Sequence, residues 1–295
     1  MNAPTLTYVY AVTQPTDGLG QTLPTLHGIG EAALRLLPSA APTSPDSPGG
    51  SALLAFVVSD VPERDFNETA LKNHFEDLDW LEYVARAHHD VVQAVAALAP
   101  VLPLRLATVY QDDHRARQAL TAQHHAFNQR LDQLRAHTEY GVKIYLTPSA
   151  APDTDQTQAG GPAPADTPGK AYLRARKDQH HTREAVYQQA QRAAQAIDAI
   201  AARHTTQRVR HAPQRGALAT SHENVLNDAY LIADDQAEGF RTAIAAAGRN
   251  FPDLRIEVTG PWAPYSFATP PPEPQHPAAG PINPDMPAEP SQPPS

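Results

Sequence analysis

The order of apolar and polar positions divides the chain into short alternating runs and longer stretches with helical spacing. The run "LTYVYAVT" (6–13), aromatic and β-branched, predicts a first strand. "ALLAFVVSDV" (52–61) is apolar almost throughout, the pattern of a strand buried on both faces. Asn67 stands where it would cap a helix, and Asp77 or Asp79 would begin the longer helix that follows. Along that helix Leu81, Val84, Ala85, His88, Val91, Val92 and Val95 recur at intervals of three and four, one apolar stripe. "VLPLRLATVY" (101–110) alternates through Leu102, Leu104 and Leu106, which predicts a strand with Arg105 on its other face. Asp112 and Asp113 are placed to satisfy the free N–H groups of a helix start. The helical region they open, from about 115 to 137, carries Leu120, Phe127, Leu131 and Leu134.

In the second half, "YGVKIYL" (140–146) alternates through Val142, Ile144 and Leu146. Residues 170–204 read as one long helix rich in Ala, Gln and Arg. "RVRHAPQRGALATS" (208–221) and "NVLNDAYLIAD" (224–234) predict two strands, Asp234 or Asp235 opens a helix through Ala247, and "LRIEVTG" (254–260) is the last strand. The order β-α-β-β-α-β is the ferredoxin-like plan. The expected fold is therefore α+β in two domains. An N-terminal α+β domain covers 1–110, a connecting helical region covers 111–138, and a ferredoxin-like domain with long helices covers 139–268.

Composition adds the rest of the organisation. Thirty prolines cluster at about 38–51, at about 147–169 and beyond residue 268. Such segments bury too little apolar surface to offset the entropy of ordering, so the first two read as flexible insertions and 269–295 as a disordered Pro-rich tail. The net charge of -9 disfavours a nucleic-acid partner bound through its phosphates. The absence of cysteine removes disulfides, thiolate metal sites and a Cys nucleophile. "MNAPTLTYVYAVTQ" lacks the features of a signal peptide, and the apolar stretch 91–104 is too short and too interrupted by Gln93, Pro100 and Pro103 to span a bilayer. The expectation is a soluble cytoplasmic protein.

Candidate chemistry is thin. "GIGEAA" (28–33) matches G-x-G-x-x-A, but Pro24 spoils the strand that should precede it, and the helical run after it stops at Pro38. The fourteen histidines come partly as adjacent pairs, which diverge on a helix, and no H-x-x-x-H or HExxH string occurs. No metal or cofactor site is expected, and no catalytic constellation. His88, on the apolar stripe, reads as a buried neutral ring with one hydrogen-bond partner. In "TGPWAPYSFA" (259–268) Pro261 and Pro264 stiffen a segment that carries Trp262, Tyr265 and Phe267. It is either a plug folded back over the domain edge or a direct contact surface for a partner.

Taken together, "SDVPERDFNETALKNHFEDLDWLEYVARAHHDVV", "VLPLRLATVY", "YGVKIYL", "KAYLRAR", "VLNDAYLIAD" and "TGPWAPYSF" resemble the GvpL/GvpF family of gas vesicle proteins. The pattern of a "W…AR.H..V" helix followed by an "LPLRFGTV" strand falls here on Trp80, Ala85, Arg86, His88 and Val91, then on 102–109. The family's usual Phe-Gly is Leu106-Ala107 in this chain. The resemblance implies two α+β domains, the second a modified ferredoxin-like fold, and a cytoplasmic, vesicle-associated accessory protein of gas vesicle assembly with no enzymatic role. It implies the hydrophobic shell protein and other accessory Gvp proteins as partners. Within that frame Arg105 is expected to form a structural ion pair with Asp77, Asp79 or Glu82 at the start of the preceding helix. Trp80, His88, Arg105, Trp262, Tyr265 and Phe267 are the candidate interaction or structural positions.

Overall fold

The computed structural model describes residues 4–39, 53–147, 168–205, 207–213 and 223–268. Apart from their edges, the proline-rich stretches read as insertions and tail lie outside the described residues. The first half runs β1 (Thr5–Thr13), α1 (Asp17–Thr22), β2 (Arg35–Pro38), β3 (Ala55–Pro62), α2 (Glu63–Phe66), α3 (Glu68–His74), α4 (Leu78–Ala96), β4 (Val101–Pro103) and β5 (Val109–Tyr110). Its sheet has the order β2-β3-β1-β4, with β5 also paired to β1, and every pairing is antiparallel. The helices α5 (Asp113–Ala122) and α6 (His124–Leu134) follow.

Both faces of this sheet are buried, which is why β1 and β3 read as nearly continuous apolar runs. Between Val9 and Ala11 the pairing of β1 with β3 slips by one residue. This bulge sends Tyr8, Tyr10 and Ala11 to the same face, where they meet Val57, Val61 and the α4 stripe Val84, Val91, Val92 and Val95. Val9 and Val12 face the other way, with Phe56, Val58 and Leu102, against Ala116 and Leu120 of α5 and Leu131 and Leu134 of α6. Asn67 caps α3 by accepting from the Ala70 N–H, and Asp77 caps α4 by accepting from Asp79 and Trp80 N–H.

Three segments of the first half and its connecting helices depart from the sequence reading, and in the second half the strand expected over 208–221 ends at Arg210, with residues 211–213 outside it and 214–221 outside the described residues. The stretch after Gly28 is not a helical run: a short 3-10 turn (Ile29–Glu31) leads into the strand β2. The G-x-G string belongs to that turn. Tyr10 Oη sits under it and accepts from the Ile29 N–H at 2.9 Å. A Cβ on Gly28 would stand 2.3 Å from that oxygen, so the glycine serves a close approach. The expected helix over 115–137 breaks at Gln123 into α5 and α6 and ends early, because residues from His137 onward join the next strand. The expected strand over 101–110 is interrupted between β4 and β5: the Leu104 N–H still donates to the Tyr10 carbonyl and the Thr108 carbonyl still accepts from the Val9 N–H, but residues 105–107 leave the ladder, and Ala107 sits in the left-handed region at φ 60.

The second half runs β6 (His137–Leu146), α7 (Pro168–Ala201), β7 (Arg208–Arg210), β8 (Asn224–Ala233), α8 (Ala237–Gly248) and β9 (Leu254–Trp262). Its antiparallel sheet has the order β7-β8-β6-β9. Val142, Ile144, Leu226, Tyr230 and Ile232 pack with Ala193 and Ile197 of α7 and with Phe240 and Ile244 of α8. Ala229 and Leu231, on the opposite face, join the core beneath the first sheet. The short strand β7 is anchored through charge: the buried Asp228 carboxylate is ion-paired with Arg208 at 2.8 Å and Arg210 at 3.5 Å. Asp234 does not cap α8 with its side chain, since a 3-10 turn (Asp234–Gln236) intervenes and its carboxylate accepts from Thr138 Oγ1 at 2.7 Å.

The Leu106-Ala107 departure now has a physical consequence. An L-residue in the left-handed region costs about 1–2 kcal/mol, while glycine loses roughly 0.4–1 kcal/mol through the freedom of the unfolded chain. Ala107→Gly is expected to stabilise the protein by up to about 1 kcal/mol, read as a higher urea midpoint at constant slope; a clear loss of stability would refute the strain.

Candidate functional site

Three distant stretches converge at one end of α4: the helix itself, the irregular link Leu104–Thr108, and the segment after β9. Their polar contacts are few and well defined. His88 is 3% exposed. Its Nδ1 lies 2.9 Å from Tyr8 Oη, which in turn accepts from the Ala107 N–H at 3.0 Å. His88 Nδ1 and Tyr8 Oη share one hydrogen bond, whose direction follows the tautomer of the ring. The Leu104 backbone near Nε2 favours the protonated ring but makes no full hydrogen bond to it. Burial outweighs that help, and with the neighbouring His89 it lowers the His88 pKa to about 4. The Tyr8 and Tyr265 hydroxyls are pushed well above the usual phenol range, chiefly by burial. His88 is therefore the buried neutral histidine that the stripe predicts.

The segment 259–268 is held from several sides. Gly260 has φ 117, and a Cβ there would lie 2.8 Å from the Glu139 carbonyl oxygen. Gln93 of α4 donates to the Pro261 carbonyl at 3.3 Å and accepts from the Ala263 N–H. Glu139 accepts from the Ser266 N–H at 2.8 Å and from its hydroxyl at 2.6 Å. Burial raises the Glu139 pKa, and the two Ser266 hydrogen bonds work against that shift. His211 Nε2 lies 3.0 Å from the same hydroxyl, which accepts from it. Arg130 of α6 donates through Nε to the Phe267 carbonyl at 2.7 Å.

The aromatic side chains of this segment divide. Phe267 is buried in the core between the sheets. Tyr265 lies against His88 and stacks on His89 with ring centroids 5.9 Å apart. Trp262, 39% exposed, stands 5.5 Å from the His89 ring. It shares with the exposed Leu98 a groove of about 430 Å³ between the halves. Phe267 and Tyr265 thus fold back over the core, while Trp262 stays partly exposed. Trp80 packs on Phe66 and stacks on His74 at 4.5 Å, which makes it part of the α3–α4 corner. It is not brought together with Trp262, Tyr265 and His88.

The ion pair expected for Arg105 is absent. Its side chain is exposed, and no carboxylate among the described residues pairs with it. The reason is the interrupted strand: Arg105 lies in a turn closed by Thr108, whose N–H and hydroxyl both donate to the Arg105 carbonyl. Glu82 pairs with Arg86 instead, and Asp77 is engaged as a cap. The structural arginine of this half is Arg35, which makes a two-pronged contact with Asp113 at 2.8 and 2.9 Å and a third bond to Asp60 at 2.6 Å. The sequence reading had taken its strand for a helical run and Asp113 for a cap.

A second groove, of about 390 Å³, runs past His88, His89, Leu104, Arg105 and Tyr265. Among the described residues no cluster of three His, Cys, Asp or Glu could hold a metal ion, and no helix is long and apolar enough to cross a membrane. What the junction presents is an aromatic ring and largely apolar walls.

Comparison with known proteins places the chain. The sequence profile described as "Gas vesicle synthesis protein GvpL/GvpF" matches residues 6–269. Gas vesicle protein L of Streptomyces sp. (strain CB03234) is 38% identical over 270 residues, covering 91% of this chain and 94% of that protein. Gas vesicle protein F of the same strain is 28% identical over 220 residues, covering 72% and 84%. The crystal structure of gas vesicle protein GvpF from Anabaena sp. PCC7120 has a TM-score of 0.55 at 16% identity, covering 90% of this chain and 96% of that one. The GvpF structure from Microcystis aeruginosa has a TM-score of 0.54 at 16% identity, covering 90% and 99%. At that identity the structures share the mixed helix-and-sheet fold with its two antiparallel sheets.

Two measurements probe the junction. Phe267→Ala is expected to cost about 3–5 kcal/mol of stability, and Trp262→Ala no more than about half of that; equal losses would mean that both rings are core. For His88 the folded pKa lies below the unfolded value of about 6.5. Its contribution is complete above pH 6.5 and is lost as pH falls to about 4, a decrease of about 3 kcal/mol. His88→Asn should flatten the acid branch of the stability curve by about one proton; an unchanged slope would place the titration elsewhere.

Proposed function

The chain belongs to the GvpL/GvpF family of gas vesicle synthesis proteins, and from that premise we propose that it is a non-catalytic assembly factor that binds the hydrophobic shell protein and other accessory gas vesicle proteins in the cytoplasm. The observation that carries this reading is the family match across residues 6–269. The rigidly held Trp262, open beside Leu98, supports it with a surface suited to an apolar partner. A very hydrophobic wall subunit exposes aggregation-prone surface and strand edges before incorporation, and a soluble acidic partner can cover them. The identity to the L protein of Streptomyces, 38% against 28% for the F protein, favours an L-type role.

Within this reading the segment 139–268 is a ferredoxin-like unit, supported by the element order β6-α7-β7-β8-α8-β9 and the strand order β7-β8-β6-β9. Residues 1–110 form the first domain and 111–138 the connection, although α5 and α6 share a core with both sheets. The second reading, a minor structural component of the vesicle wall, differs in stoichiometry and is separated by quantifying the protein in washed vesicles against the soluble lysate.

Immobilised full chain is expected to retain the shell protein across several salt concentrations. Trp262→Ala should lower retention about tenfold, a loss of about 1.4 kcal/mol, with nearly unchanged melting temperature. No retention by the natural chain would reject the assembly reading; undiminished retention by the variant would reject the role of Trp262.

A further inference from the structure

The groove of about 390 Å³ beside α4 carries a cation that the described residues leave unmatched. Ala85 and His89 of α4, Leu104 and Leu106 of the link, and the Tyr265 ring stacked on His89 give it apolar and aromatic walls. Arg105 belongs to the same lining, with its side chain exposed. The turn that carries it is fixed: Thr108 donates twice to the Arg105 carbonyl, and Tyr8 Oη accepts from the Ala107 N–H. The carboxylates at the start of α4 are engaged elsewhere, Glu82 with Arg86 and Asp77 as the cap. Asp90 and Glu139 bear on the Tyr265 hydroxyl, and Glu139 is held by Ser266. Among the described residues the Arg105 guanidinium therefore has no carboxylate partner.

Ala268, which also lines this groove, is the last of the described residues. From the groove's own rim the sequence continues as Thr269, Pro270, Pro271, Pro272 and Glu273. Consecutive prolines have φ set in advance, so placing them against a surface costs little entropy. Their rings suit grooves walled by aromatic side chains. At about 3.1 Å per residue, such a run carries Glu273 up to about 15 Å from Ala268. Glu273 is the first carboxylate beyond the described residues, and it is the charge that Arg105 lacks.

We propose that this groove is a site for a proline-rich segment bearing one carboxylate, and that the chain's own residues 269–273 occupy it. The prolines lie against Tyr265, His89 and Leu104, and the Glu273 carboxylate accepts from Arg105. Attachment at Ala268 gives the segment an effective concentration on the order of mM. That advantage favours the tethered segment over the same sequence on a second copy. Docked in this way, the segment closes the groove to other ligands of like composition. The contact does not depend on the assembly role.

The chain has no cysteine, so Gln275→Cys offers a single attachment point for a nitroxide label on the full chain. With the backbone isotope-labelled for NMR, the nitroxide is expected to erase the amide signals of 104–108, which return when it is reduced. Arg105→Glu should restore those signals with the nitroxide still active, and combining it with Glu273→Arg should erase them again. Glu273→Gln, a change confined to the segment, should also restore them, which keeps the test independent of any effect of Arg105→Glu on folding. Signals of 104–108 that survive in the natural pairing, that stay erased in Arg105→Glu and Glu273→Gln, or that are not erased in the charge-reversed pair would each overturn the proposal. In a mixed sample of nitroxide-bearing chains and separate isotope-labelled chains, the signals should persist. Their loss there would make a second copy the source of the occupant and would also overturn it.

Discussion

The structure depends on the chain crossing back after β9 to lock its two halves together. Glu139, at the start of β6, holds Ser266 by two hydrogen bonds, Arg130 holds the Phe267 carbonyl, and Gln93 of α4 holds Pro261 and Ala263. Each of these partners belongs to a different element, so the path of 259–268 is fixed from three directions. The Phe267 ring then fills the core that lies under the first sheet and beside Leu231 of the second. Burial of one aromatic ring is worth several kcal/mol, a large share of an ordinary protein's net stability. The exposure of Trp262 is a result of this clamping: its neighbours are fixed, so the ring is presented with little entropy left to lose.

The polar chain from Ala107 through Tyr8 to His88 does comparable work inside the first half. It satisfies a backbone N–H in the interrupted link between β4 and β5, and the burial that surrounds it favours the neutral ring. That preference ties the geometry of the link to the protonation of a histidine on the facing helix. Three parts of the molecule that share no secondary structure are thereby kept in register.

Much of the fold was legible because burial leaves a period in the sequence. The α4 stripe and its Asp77 cap, the long α7 and the strands β1, β3, β6, β8 and β9 all announced themselves by alternation, spacing or capping residues. The failures share one cause. Leu104 and Leu106 alternate as a strand would, yet after Leu104, whose N–H still donates to Tyr10, the chain turns at Arg105–Thr108 and leaves the ladder. The run before Pro38 looked helical because its pairing partner, β3, lies at a distance that no local window reports. Arg105 was misjudged for the same reason: its neighbours were inferred from a strand that does not exist. Arg35 was missed because its contact with two carboxylates, Asp60 of β3 and Asp113 of α5, has no local signature. His88 was read correctly since its position on an apolar stripe already implied burial and neutrality.

The core shared by both sheets draws on residues from Val9 to Phe267. A ribosome releases the chain from its N-terminus, so the face of the first sheet that carries Val12, Phe56 and Leu102 emerges long before its cover is made. Helices α5 and α6 arrive first and shield part of it; Leu231 and Phe267 arrive only near the end of the described chain. During synthesis this apolar sheet face therefore waits for Leu231 and Phe267, which lie far along the chain, to complete its cover.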